Sequence, residues 1–256
     1  MNDGSGRPGP PPTIVDCYRL ELGRCDARDQ ALLDDDERAR AGRFRFERDR
    51  IRFVAAHAQT RRLLGRRLGV APDALRFATT ALGKPILAPC STASADAASP
   101  EGAVAFNLTH SGAVGYLAIA SCDVGIDVEL HRPFDDLQPL IDDYCSAAEI
   151  AALAGLPPGL RAAGFLAVWT RKEAALKAWG TGIGTVPLAA LHVGLAPSSA
   201  AGGRDWLPGL VHDGITYPGL RLQTIGGDGE VLSIAAAGVQ PLAVRMAREQ
   251  SGADGG

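Results

Sequence analysis

The sequence predicts an α+β fold, and three features of its 256 residues carry that expectation. Short stretches alternate apolar and polar residues with a period of two, most clearly residues 124–130, and read as half-buried strands. Two long runs, residues 53–68 and 165–179, contain no proline and keep apolar side chains at helical spacing. A hydrophobic fraction of 46% against 21% charged residues belongs to an ordinary globular chain, long enough for one large core or two small ones.

The same composition excludes several classes of function. A net charge of −3 argues against bulk nucleic-acid binding. No apolar run reaches membrane-spanning length, and residues 1–12 are rich in Gly and Pro rather than built as a signal peptide. Cysteines 17, 25, 90, 122 and 145 have no metal-ligand spacing, and an odd number fits a reducing cytoplasm better than a disulfide framework.

In chain order, residues 1–12 read as a disordered tail and residues 13–22 as a first strand. Asp34, Asp35, Asp36 and Glu37 open a helix, since acidic groups favour the positive end of the helix dipole. Arg38, Arg40, Arg43, Arg45, Arg48, Arg50 and Arg52 then place seven guanidinium groups within fifteen residues. Such a run is a solvated face or a local positive field able to grip phosphate. Gly83-Lys84-Pro85 holds a cation on a constrained turn, and residues 90–102 are low-complexity and loop-like. A short strand, 103–106, leads into Asn107-Leu108-Thr109-His110-Ser111-Gly112, where several hydrogen-bond donors gather at a strand end.

Residues 114–120 form a further strand, and the short link 121–123 predicts a hairpin with the strand at 124–130. There Val124, Ile126, Val128 and Leu130 alternate with Gly125, Asp127 and Glu129. The two carboxylates leave one face about 7 Å apart, an arrangement that repels itself unless water or a cation screens it. Residues 137–144 are helical, and Ser146 with Glu149 forms a capping box before an apolar run. Residues 157–159 break the chain before the 165–179 helix, in which positions 169, 173 and 177 form one i, i+4 row. Residues 188–193 read as a strand, 196–209 as a loop, 220–225 and 231–237 as a closing hairpin, and 241–256 as a C-terminal tail. A Glu173 leaning over Asp127 and Glu129 would complete an all-oxygen site of the kind Mg²⁺ prefers.

Taken singly, Asp-x-Glu on a strand describes a solvated face, and Glu-x-x-x-Lys on a helix a surface ion pair. Taken together, Gly125-Ile126-Asp127-x-Glu129 followed by Trp169-x-x-Lys172-Glu173-Ala174-x-x-Lys177 resembles the double signature of the 4′-phosphopantetheinyl transferases, in particular the single-chain Sfp type. The resemblance covers residues 13–240 and is specific between 83 and 177. It implies two similar α/β subdomains related by a pseudo-two-fold axis: 13–122 binding coenzyme A, and 123–240 carrying metal binding and catalysis. It implies transfer of 4′-phosphopantetheine from coenzyme A to a serine of an apo acyl or peptidyl carrier protein, by a monomer in the cytoplasm, leaving 3′,5′-ADP.

By the same resemblance Asp127, Glu129 and Glu173 hold Mg²⁺ or Mn²⁺, and Lys177 neutralises phosphate oxygen. Lys172 orients the metal helix or reaches the phosphates. Arg52, Arg48, Lys84, Thr109 and His110 contact coenzyme A, with Glu37 standing where a basic residue would be expected. Glu149 is implied as a general base, which leaves that reading open beside the capping box. A trimeric acyl-carrier-protein synthase of the same superfamily would be about half this length. A non-catalytic coenzyme A-binding relative would be expected to lack one of the four site residues Asp127, Glu129, Glu173 and Lys177.

Overall fold

A computed structural model describes residues 11–88, 104–182, 184–195, 205–227 and 229–248. The expected loop at 90–102 and most of the two tails lie outside these residues. The chain is mixed α/β, as expected, and its layers follow from strand alternation.

The first sheet has the order β12-β1-β5-β4, from Leu242–Arg248, Thr13–Glu21, Val114–Ala120 and Ala105–Ser111. The second has the order β6-β11-β10-β7, from Val124–Leu130, Glu230–Ala237, Leu220–Gly227 and Asp205–Leu207. Small hairpins β2–β3 (Phe77–Thr79, Pro85–Leu87) and β8–β9 (Leu210–His212, Ile215–Tyr217) complete the strands.

One face of each sheet meets the other in a shared core of Val15, Cys17, Tyr116 and Ala118 against Val124, Ile126, Val128, Leu232 and Ile234. The outer faces take the helices. Leu20, Leu117 and Ile119 pack under α3 (Glu47–Leu68), whereas Val231 and Ala235 pack under α6 (Pro158–Trp179). Short helices α1 (Ala27–Leu32) and α2 (Asp35–Ala41) precede α3; α4 (Gln138–Tyr144) and α5 (Ala147–Ala154) precede α6. Among the described residues no helix is long and apolar enough to cross a membrane, and Cys17, Cys25, Cys122 and Cys145 are free thiols.

Several expectations change: within the expected loop at 196–209, Asp205–Leu207 is the strand β7, and β4 runs on through residues 107–111 where a strand end was expected. The strands at 114–120 and 124–130 are not a hairpin: β5 pairs with β1 and β4, while β6 pairs with β11. The three-residue link crosses between layers instead of turning within one. The C-terminal segment is not all tail, because Leu242–Arg248 pairs in parallel with β1 and completes the first sheet. Residues 188–190 form a 3₁₀ turn and not a strand. Finally, Pro158 starts α6 instead of breaking the chain, a position where its missing N–H costs nothing.

Candidate active site

Gly125 decides how closely the second helix approaches its sheet. A Cβ there would collide with the carbonyl oxygen of Ala174 and the backbone nitrogen of Ala178, both in α6. Glycine thus lets the helix backbone lie directly on β6, with Asp127 two residues on along the same face. In sequence Gly125 stood on the polar face and at the head of the Gly-Ile-Asp-x-Glu string; its tolerance of a close backbone approach is what brings Glu173 and Lys177 to Asp127.

Lys177 Nζ donates to Asp127 Oδ1 at 2.5 Å, and lies 3.3 Å from the Ile126 carbonyl oxygen and 3.4 Å from Thr109 Oγ1. Asp127 is 6% exposed and Glu173 7%. Both keep one carboxylate oxygen, Oδ2 and Oε1 respectively, that is buried with no hydrogen-bond partner among the described residues. Burial raises the Asp127 pKa, with Lys177 opposing it. Burial and then the neighbouring Asp127 charge push Glu173 up to about 7.

Orphaned anionic oxygens in a protein interior are costly unless something binds them. Among the described residues no three His, Cys, Asp or Glu side chains already stand as a metal-binding cluster, and Lys177 occupies one oxygen of Asp127. The two free buried oxygens and the half-buried Glu129 are nonetheless a hard, all-oxygen donor set, and this fits a divalent cation such as Mg²⁺.

Strand β4 supplies the other wall, and its alternation divides the Asn-x-Thr-His-Ser string. Asn107, Thr109 and Ser111 face β6. Asn107 Oδ1 accepts from Ile126 N (2.9 Å), Thr109 Oγ1 donates to Asp127 Oδ1 (3.1 Å), and Ser111 Oγ donates to Glu129 Oε2 (3.0 Å). Side chains thus join the two sheets where backbone pairing stops. Thr109 therefore steadies a site carboxylate and Lys177. Sequence reasoning missed Asn107 and Ser111, although their spacing of two from Thr109 was the available signal.

His110 points the opposite way, into a cavity of about 460 Å³ between α3 and β4. Arg40, Arg52, Phe44, Phe53 and Phe77 also line it. Aromatic walls with two guanidinium groups suit a nucleotide: flat ring surface for a base, cations for phosphate. Burial lowers the His110 pKa, helped by the Arg52 and Lys177 charges, so His110 lies within the field of both the cavity and the acidic site.

Other expected contacts are placed elsewhere. The Arg48 side chain is 71% exposed and stacks over Phe46, outside the cavity lining, whereas Arg40 is in it. Lys84 is not in the lining either, although Pro85 is. Its ammonium donates to the Ala178 carbonyl oxygen (3.1 Å) and lies 3.7 Å from Asp123, capping the C-terminal end of α6. Glu37 is explained by Arg61, which is fully buried in α3 and bonds Glu37 and the α2 cap Asp34 at 2.8 and 2.7 Å.

The capping-box reading of Glu149 accounts for its geometry, and a free base does not. Its side chain is fully buried. Oε2 accepts from Ser146 N (2.8 Å) and pairs with Lys172 Nζ (2.7 Å); Oε1 accepts from Val193 N (2.8 Å) and Gly194 N (3.2 Å). Burial opposes ionisation, but Lys172 and the Ser146 N–H outweigh it and hold the pKa low. Lys172 spends its remaining donors on the carbonyl oxygens of Tyr144 and Leu188, so it does not reach toward the cavity. Three acceptors around one nitrogen require the ammonium form, and burial alone accounts for its lowered pKa.

Comparison with known proteins identifies the family. A family model described as the 4′-phosphopantetheinyl transferase superfamily matches residues 123–209, and one described as 4′-phosphopantetheinyl transferase, N-terminal, matches residues 27–123. The chain is 35% identical over 191 residues to the 4′-phosphopantetheinyl transferase HetI of Nostoc, covering 73% of this chain and 76% of that protein. A putative 4′-phosphopantetheinyl transferase of Synechocystis is 33% identical over 60% of this chain and 59% of its own length. The 4′-phosphopantetheinyl transferase psf-1 of Bacillus pumilus is 30% identical over 58% of each chain. With Gly125, Asp127, Glu173 and Lys177 gathered on one helix–strand contact, the chain belongs to the 4′-phosphopantetheinyl transferase superfamily and is a transferase.

Proposed function

We propose that this protein moves the 4′-phosphopantetheine group of coenzyme A onto a serine of an apo acyl or peptidyl carrier protein, as a monomer in the cytoplasm. The observation that carries the reading is that neighbouring residues of β4 serve two sites: His110 lines the Arg40/Arg52 cavity, and Thr109 bonds Asp127, which pairs with Lys177. In this reading residues 13–122, with β12 added to their sheet, bind coenzyme A, and residues 123–240 carry the acidic site.

The nucleotide end of coenzyme A occupies the cavity, with its base on the phenylalanines and its phosphates on Arg40, Arg52 and His110. Asp127, Glu129 and Glu173 would hold Mg²⁺ or Mn²⁺. When bound, the cation supplies Lewis-acid stabilisation of charge on the pyrophosphate. Lys177, set by Thr109 and the Ile126 carbonyl oxygen, adds a positive charge where the leaving phosphate gains negative charge. The carrier serine attacks the β-phosphorus, forming a P–O bond as the bond to the departing 3′,5′-ADP breaks. Its proton passes to a carboxylate of the Asp127–Glu173 group, because both oxygens of Glu149 are already engaged. Positioning and electrostatics supply the rate without a covalent enzyme intermediate.

The test is intact mass spectrometry of a panel of apo carrier proteins incubated with the protein, coenzyme A and Mg²⁺, with and without EDTA. A chelator-sensitive gain of one phosphopantetheine is expected. No gain on any carrier, with coenzyme A still bound, would instead make this a non-catalytic coenzyme A-binding member of the family.

A further inference from the structure

Beneath α6 a hydrogen-bond chain that uses none of the proposed site groups runs from half-buried Thr224 to fully buried Ser233 and Thr170. Arg171 Nη1 donates to Thr224 Oγ1 (3.1 Å), Thr224 and Ser233 hydroxyls meet at 3.0 Å, and Ser233 and Thr170 hydroxyls at 2.8 Å. Thr170 Oγ1 donates to the Ala167 carbonyl oxygen (3.2 Å). Each hydroxyl has one proton, which fixes the direction of the chain. With the Thr170 proton given to Ala167, Ser233 must donate to Thr170, and Thr224 to Ser233. Arg171, which can only donate, starts the run, and it also grips the Val193 carbonyl oxygen at 2.6 and 3.0 Å.

The location of this chain gives it a consequence. Thr224, Ser233 and Asp127 are direct cross-strand partners on β10, β11 and β6, so the hydroxyls and the carboxylate form one row on the face under α6. On the helix, Thr170 lies one turn before Glu173, on the side of neighbours three apart. Apolar packing leaves a helix able to slide or roll on its sheet by fractions of an ångström, whereas a directional bond between two fully buried hydroxyls does not.

We infer that the Thr170–Ser233 hydroxyl pair is a positioning device that sets the axial register of α6 on the sheet, so that Glu173 stands opposite Asp127 at the spacing a divalent cation needs. The inference rests on the proposed cation site and concerns residues that do not touch the cation. Thr170 and Ser233 are positioning residues; their effect passes through Glu173.

The test measures Mn²⁺ binding to the purified full chain by electron paramagnetic resonance of free Mn²⁺, for wild type, Thr170→Val, Thr170→Ser and Ser233→Ala, each shown to be folded by circular dichroism. Thr170→Val keeps the shape of the side chain and removes the hydroxyl; its Mn²⁺ affinity should fall about fivefold, the scale of one buried hydrogen bond. Thr170→Ser should restore binding to within about twofold, a rescue that a role in methyl packing would not give. If Thr170→Val fails to fold, Ser233→Ala asks the same question from the sheet. Wild-type affinity in the folded hydroxyl-free variants would overturn the inference alone. A wild type that binds no Mn²⁺ would overturn the cation site, and this inference with it.

Discussion

Two carboxylate–lysine pairs with buried carboxylates lie on either side of α6, and they are built to opposite rules. In the Glu149–Lys172 pair every oxygen and every ammonium proton has a partner, and the Glu149 pKa is held low. In the Asp127–Lys177 pair, with Glu173 beside it, two buried oxygens have none among the described residues, and burial raises both carboxylate pKa values. The residue types are the same, and both lysines belong to α6. A saturated pair fastens α5 and the segment around Val193 to the helix. An unsaturated one is stable in isolation only at a cost, and that cost is offset when a ligand binds.

Substituting Glu173, beside one pair, and Glu149, within the other, should separate these roles. Glu173→Gln removes a group whose charge the fold does not satisfy, so transfer activity should drop about a hundredfold or more while the protein stays folded. Retained transfer would remove Glu173 from the site. Glu149→Gln should do the reverse: stability falls by about 3–5 kcal/mol, because Lys172 is left as a buried cation, while the folded fraction keeps its transfer rate. Chemical denaturation and single-turnover transfer, measured on both variants, give the two readouts. A rate loss in folded Glu149→Gln without destabilisation would restore the general-base reading.

The comparison also has a pH signature. Glu173 binds its proton more tightly when folded, near 7, than at its ordinary value of 4.5. The folded state therefore holds the extra proton between these values, and stability from this group is lost as pH rises through the window toward 7. Without divalent cation, wild type should lose stability across that range relative to Glu173→Gln, whose denaturation profile should be flatter. Parallel profiles would contradict the raised pKa. A smaller effect distinguishes the arginines: Arg52→Ala should weaken 3′,5′-ADP binding about tenfold and Arg48→Ala less than about twofold by calorimetry, since only Arg52 lines the cavity.

What could be read from the sequence was local. Alternation identified the Asp127/Glu129 strand, and helical spacing identified the Glu173/Lys177 row; each depends only on neighbours within a turn or two. The partition of β5 and β6 into different sheets was not legible, because a three-residue link permits a hairpin as readily as a crossing between layers. Nor was the strand at 242–248, whose partner lies at the other end of the chain. Glu149 shows the limit most clearly. Its capping box was visible in four consecutive residues, but its saturation depends on backbone N–H groups 44 and 45 residues away. Lys84 likewise looked like a phosphate ligand on a rigid turn, and only the three-dimensional fold reveals the helix end it caps, 94 residues later.

The central claim is that the unsatisfied carboxylates beside Lys177 form a divalent-cation site. Thermal unfolding of wild type and Glu173→Gln at pH 8, each with and without millimolar Mg²⁺, tests it most directly. Mg²⁺ should raise the melting temperature of wild type and leave Glu173→Gln nearly unmoved, since a ligand stabilises only the state that binds it. Equal shifts in both proteins, or none in wild type, would contradict it.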